Sequence, residues 1–145
     1  MTRPNTLQRF LDAQKTAYPA ALAEIKRGRK TSHWMWYIFP QIQGLGFSET
    51  SRFYGIKDRQ EAEEYLQHPV LGPRLVEISQ ALLALPGTNA TAIFGSPDDV
   101  KLKSSMTLFS CVPNADPVFE HVLDKFFHGD PDGKTLQLLL SPGTN

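Results

Sequence analysis

Residues 28–48 constrain this chain more than any other stretch: GRKTSHWMWYIFPQIQGLGFS. Arg27, Arg29 and Lys30 lead into His33-Trp34-Met35-Trp36-Tyr37-Ile38-Phe39. Pro40 stops the aromatic block, and residues 41–46 form a glycine-bearing loop. Both tryptophans of the protein sit here, two positions apart. The block is too short to cross a bilayer, which needs roughly 20 apolar residues. It is therefore core, the wall of a pocket, or both. Its composition suits a strand. Ser32 as a cap and Pro40 as a terminator suit a short helix. No convincing partner strand appears elsewhere, so a short helix is expected, with His33, Trp36 and Tyr37 on one face.

The rest of the chain predicts helices throughout. Asn5 or Thr6 is placed to cap a first helix carrying Leu7, Phe10, Leu11, Gln14, Ala17 and Tyr18 on one face. Gln14 lies in the middle of that stripe; the ordinary expectation sends its amide to solvent, and the alternative is an inward amide that needs a partner. Pro19 is expected to end this helix and start another, which stops at Gly28 in a left-handed turn. Asp58 with Glu61 resembles a capping box. Pro73 is read as a helix start, and Leu75, Val76, Ile78, Leu82, Leu83 and Leu85 mark that helix as the central one. A short turn follows Asn89. Ser96-Pro97-Asp98-Asp99 reads as a strong helix start, with Leu102, Met106 and Phe109 inward. Helices from Asp116-Pro117 and from Pro131 complete the chain. The expected fold is all-α: one compact domain over 1–145 of seven or eight short helices, with a frayed tail at 141–145.

Composition narrows the function. Lys+Arg and Asp+Glu are equal at 15 each, so no general field draws nucleic acid or anionic lipid, and any such binding needs a local patch. A lone cysteine, Cys111, forbids an intrachain disulfide and fits a reducing compartment. No signal core or membrane-length apolar segment occurs, which makes the cytoplasm the default expectation. No nucleic-acid or membrane partner is expected, and oligomeric state leaves no signature.

No cofactor or metal signature emerges. Gly44-Leu45-Gly46 is only GxG, too little for a dinucleotide fingerprint. His121, Asp124 and His128 share a helix face, but the two histidines stand about 10 Å apart along the axis, too far to share one zinc ion. Cys111 near a helix carboxyl end is disfavoured as a thiolate. Two groups remain. Asp99 and Ser105 fall on the inward face of the helix after Pro97, flanked by Lys101 and Ser104. Either they are satisfied locally or they line a polar pocket. Trp34 and Trp36, with His33 and Gln41, combine apolar walls with hydrogen-bonding groups, as small-molecule sites do, but serve equally as core. The expected ligand-binding set is His33, Trp34, Trp36, Gln41, Asp99, Lys101 and Ser105. The ligand would be small and polar, nucleotide- or sugar-like. If the protein is an enzyme, Asp99 or His33 is the acid/base and hydrolysis the class. The alternative is a non-catalytic protein–protein interaction module that exposes the aromatic block.

Residues 28–48, YLQHPVLGPRLVE, IFGSPDDVKLKSSMTLF and VLDKFFHGDPDGKTL together resemble the bacterial family catalogued as domain of unknown function 1810, some members of which carry a calpastatin label. The resemblance runs from about Thr6 to Leu140. It implies a compact, mainly helical domain and brings no activity, substrate or cofactor with it. Its distinctive segments hold His33, Trp34, Trp36, Pro40, Gln41, Asp98, Asp99, Lys101, Ser104, Ser105 and Thr107.

Overall fold

Helix α1 (Gln8–Lys26) opens the computed structural model, which describes residues 7–140. The expected cap at Asn5 or Thr6 and the tail 141–145 lie outside those residues. The predicted break at Pro19 does not occur. Buried Phe10, Gln14, Tyr18, Ala21 and Ile25 keep steps of three or four, so one face stays in register across the proline. Pro19 itself is exposed, which puts the lost backbone bond on the solvent side.

Eight more helices follow among the described residues: α2 (Met35–Ile38), α3 (Glu49–Tyr54), α4 (Arg59–Gln67), α5 (Leu71–Ala84), α6 (Ala90–Phe94), α7 (Asp98–Ser110), α8 (Val118–Phe127) and α9 (Gly133–Leu140). The fold is all-α. It has nine helices rather than seven or eight because short segments such as 49–54 close as helices in their own right. The only sheet-like pairing among the described residues is one isolated parallel bridge, Ile42 to Ile56.

Side chains set several helix starts. The Asp58 carboxylate accepts from the Glu61 amide at 2.9 Å, and Glu61 in turn accepts from the Lys57 amide at 2.8 Å, a variant of the expected capping box. Helix α5 starts at Leu71, two residues before Pro73, because His68 Nδ1 accepts from the amides of Val70 and Leu71 at 3.0 and 3.2 Å. At its far end Lys125 of α8 donates to the carbonyls of Leu82, Leu83 and Leu85, closing the carboxyl terminus of α5. Helix α7 begins at Asp98, and Ser96 supplies no side-chain cap.

The core centres on two helices. Helix α5 packs on α1, α4 and α8, while α7 packs on α4, α6, α8 and α9. Every residue from 104 to 109 of α7 is buried, so this helix is enclosed nearly all round. Most of its hydroxyls are satisfied within the element: Ser104 donates to the Val100 carbonyl and Thr107 to that of Lys103. A chain of rings crosses the core from α1 to α8. Phe10 meets Tyr65 at 5.1 Å, Tyr65 meets Phe109 at 5.3 Å, and Phe109 meets Phe119 at 5.9 Å.

Gln14 corrects the solvent expectation. It is 1% exposed. Its amide nitrogen donates to the Tyr37 carbonyl at 2.8 Å and to the Tyr65 hydroxyl at 2.9 Å. Its oxygen accepts from the Arg74 guanidinium at 3.2 Å. The polar group in the stripe thus ties α1 to α2, α4 and α5. Gln14→Leu preserves volume but leaves these partners dry, and is expected to cost about 2 kcal/mol. Urea unfolding at neutral pH reads this; an unchanged midpoint would mean the amide is dispensable.

Candidate functional site

The site is built outward from the end of α1. Gly28, at φ +82°, takes the left-handed turn expected of it. The Gly28 amide bonds the Ile25 carbonyl at 2.8 Å, and the Arg29 amide bonds that of Glu24 at 3.0 Å, the pattern of a Schellman motif. This reverses the chain, so residues 31–34 run back over the Glu24 side chain. Glu24 is 4% exposed. One of its oxygens accepts from the Thr31 amide at 2.8 Å, the Ser32 amide at 3.0 Å and Trp34 Nε1 at 2.9 Å. The other accepts from the Ser32 hydroxyl at 2.6 Å. Burial opposes the charge. The bonds from the Ser32 hydroxyl, the Thr31 amide, the Trp34 indole and the Ser32 amide outweigh it and hold the Glu24 carboxyl at about 2, below its ordinary 4.5. Ser32 therefore serves Glu24 rather than capping α2, whose N-cap is Trp34.

The returning loop also meets the start of α7. The Lys30 amide donates to the Ile93 carbonyl of α6 at 2.7 Å. The Lys30 ammonium, with only 6% of its side chain exposed, pairs with Asp98 at 2.8 Å and sits 4.9 Å above the Trp34 ring. From one turn along α7, Lys101 pairs with the other Asp98 oxygen at 3.3 Å and lies 5.9 Å from the Trp36 ring. Burial opposes the Asp98 charge as well, but the two lysines prevail and keep its carboxyl below the ordinary range. Between these walls lies an open cavity of about 390 Å³. Trp34, Trp36 and Tyr37 line it on one side, Asp98 and Lys101 on another, and Thr50 and Tyr54 of α3 on a third.

Four of the seven expected residues line this cavity: His33, Trp34, Trp36 and Lys101. His33 is exposed at its edge. Three do not. Asp99 is turned toward α6, where it accepts from the Thr91 hydroxyl, and it also accepts from the Val100 amide at 2.8 Å. Ser105 is fully buried, with no hydrogen-bond partner for its hydroxyl among the described residues. Gln41 is 2% exposed; its backbone carbonyl accepts from the Ile56 amide at 2.8 Å, and its side-chain amide nitrogen has no partner among the described residues. Asp98 occupies the place expected of Asp99. The two differ by one 100° step, and Asp98 is the one that stands three residues before Lys101 on its face. Lys30 and Glu24 were missed. Lys30 belongs to a basic run that reads as a helix end. Glu24 looks like one more surface charge on α1, although it sits between inward Ala21 and Ile25. Cys111 is half-buried at the end of α7, and His121, Asp124 and His128 are exposed.

The family described as Protein of unknown function (DUF1810) matches residues 4–139. The chain belongs to that family. A solved structure, the conserved hypothetical protein Rv1873 from Mycobacterium tuberculosis, is similar at 44% identity with a TM-score of 0.92, over 96% of this chain and 99% of that one. No curated protein matches the chain. The DUF1810 resemblance read from the sequence is thus shown, and the all-α fold agrees with it. No helix among the described residues is long and apolar enough to cross a membrane.

The low Glu24 value sets a pH dependence. The folded state holds this carboxyl below its unfolded value, so its contribution is full above pH 4.5 and is lost as pH falls toward 2. Glu24→Gln is expected to destabilise the protein by on the order of 3 kcal/mol at pH 7. The gap from the parent protein should close as the solution is acidified. Denaturant titrations of both proteins at several pH values check this; a gap constant with pH would show that the charge contributes nothing.

Proposed function

We propose that this protein binds a small anionic ligand carrying a flat ring or sugar, nucleotide- or sugar-phosphate-like, in the cavity between α2 and the start of α7. The observation that carries the proposal is the placement of Lys101. Its side chain keeps 30% of its surface exposed and rests between Asp98 and the Trp36 ring on the cavity wall. Lys30 and Lys101 face a single carboxylate, Asp98, which leaves one positive charge in excess among the three. Lys30 is enclosed and fixed, so it holds Asp98 in position. Lys101 is the cation able to turn to an incoming anion. The aromatic walls give a ring or sugar face something to lie against.

His33, Trp34, Trp36 and Lys101, with Lys30 and Asp98 added, make the working set. Gln41, Asp99 and Ser105 lie outside the cavity lining and are left out of that set. Hydrolysis is the reaction class to assay, with His33 at the rim as acid/base. Asp98 is an unsuitable acid, since its ion pairs keep it ionised. The interaction-module reading needs another surface, because Trp34, Trp36 and Phe39 are buried. It rests instead on Phe47 and Phe53, which are 84% and 60% exposed.

Titrating tryptophan fluorescence with nucleoside monophosphates, sugar phosphates and their unphosphorylated counterparts tests the proposal. The phosphorylated compounds should change the emission at lower concentration than the neutral ones. Lys101→Met should weaken that response about tenfold, or 1.4 kcal/mol, while leaving the melting temperature nearly unchanged. Equal response to charged and neutral compounds, or full binding by Lys101→Met, would refute the reading.

A further inference from the structure

A second, larger cavity lies on a different part of the molecule, and it carries the opposite charge. It measures about 620 Å³, within the range of small-molecule sites, and opens between the end of α4, the start of α5 and the loop joining α7 to α8. Leu66, Val76, Val112 and Phe119 supply apolar lining. Glu63, Glu77 and Asp116 stand around them, and no Lys, Arg or His is among the lining residues.

No basic residue lines the cavity beside these carboxylates. None of the three belongs to an ion pair among the described residues. Glu63 makes no side-chain hydrogen bond there, Glu77 accepts only from the Tyr18 hydroxyl, and Asp116 only from the Val118 amide. Arg74, the nearest basic residue in sequence to Glu77, does not line the cavity: it donates to Gln14 and lies 5.1 Å from the ring of Tyr18, the residue whose hydroxyl donates to Glu77. Helix ends do not decide the sign, because α4 and α7 end here while α5 and α8 begin here. The carboxylates do. The shape is fixed by backbone as well. A side chain at Gly72 would bring its Cβ within 2.1 Å of the Leu66 carbonyl oxygen, so α4 and α5 meet too closely at this wall for any other residue.

We infer that this cavity is a binding site for an organic cation, an ammonium group on an apolar aromatic or alkyl body. The body lies on the Leu66, Val76, Val112 and Phe119 surface, and the ammonium faces Glu63, Glu77 and Asp116. An anion of the same shape is excluded by three like charges at the rim. The site is separate from the one between α2 and α7, and neither reading depends on the other.

The test compares phenethylamine with phenylpropionate, which have similar bodies and opposite charges. Each is titrated into the isotope-labelled full-length protein at neutral pH, and backbone amide shifts are followed by NMR. Phenethylamine should move the amides of Leu66, Gln67, Val112, Asn114, Ala115, Asp116 and Phe119, and phenylpropionate should not. Glu63→Gln combined with Glu77→Gln should weaken phenethylamine about tenfold and leave the melting temperature close to that of the parent. The amide oxygen introduced by Glu77→Gln still accepts from the Tyr18 hydroxyl, so folding is preserved. Val76→Trp, which fills the cavity, should abolish the shifts with the carboxylates intact. Equal binding of the two probes, shifts confined to other residues, or no shift with phenethylamine would overturn the inference.

Discussion

A single buried carboxylate organises the region around the cavity between α2 and α7. Glu24 takes four hydrogen bonds from three residues of the loop that follows α1. A charge so enclosed is stable only when its lone pairs are occupied, and here the occupants are the backbone of residues 31 and 32, a hydroxyl and an indole. The bonds fix where Trp34 goes. Trp34 in turn packs against Phe39 and Phe94, with ring centres 6.1 and 6.4 Å away, which joins the loop to α6. Two walls of the first cavity meet at that joint. Lys30 lies over the same indole and reaches Asp98 at the mouth of α7.

Equal numbers of acidic and basic residues conceal an uneven distribution. Two lysines against one aspartate mark one cavity, and three carboxylates with no basic residue among the lining mark the other. Formal neutrality argues against a general polyanion partner, but it does not describe either site. Local potential within about a Debye length decides what a small charged molecule meets, roughly 8 Å at physiological salt. On the two proposals, the cavities take ligands of opposite sign. The enclosed helix α7 lies between these features in the chain: its first turn supplies Asp98 and Lys101, and the loop after its last turn supplies Val112 and Asp116.

Much of the fold was legible because it rests on local signals. Apolar spacing gave the inward face of α7, Asp58 gave the start of α4, and Gly28 gave the end of α1. Pro19 misled because a proline's local cost was weighed without the stripe that continues past it to Ala21 and Ile25. At the site, the sequence pointed to the aromatic block and the acidic helix start as neighbours, and His33, Trp34, Trp36 and Lys101 do share a cavity. It chose Asp99 over Asp98 because helix phase depends on a boundary that capping residues define only to within a position or two. Gln14, Glu24 and Lys30 escaped because their roles come from partners far along the chain or across a turn. Gln14 meets residues 23 to 60 positions away, and no periodicity within one helix reports that.

The account stands on the Glu24 carboxylate holding the Trp34 indole in a dry, fixed position. Hydrogen exchange of the Trp34 indole N–H, followed by NMR with Trp36 as the internal reference, reads this directly. The account predicts that the Trp34 indole proton exchanges only when the whole protein unfolds, and that Glu24→Ala releases it to fast exchange while Trp36 changes less. Rapid exchange of that proton in the parent protein, or protection retained in Glu24→Ala, would contradict it.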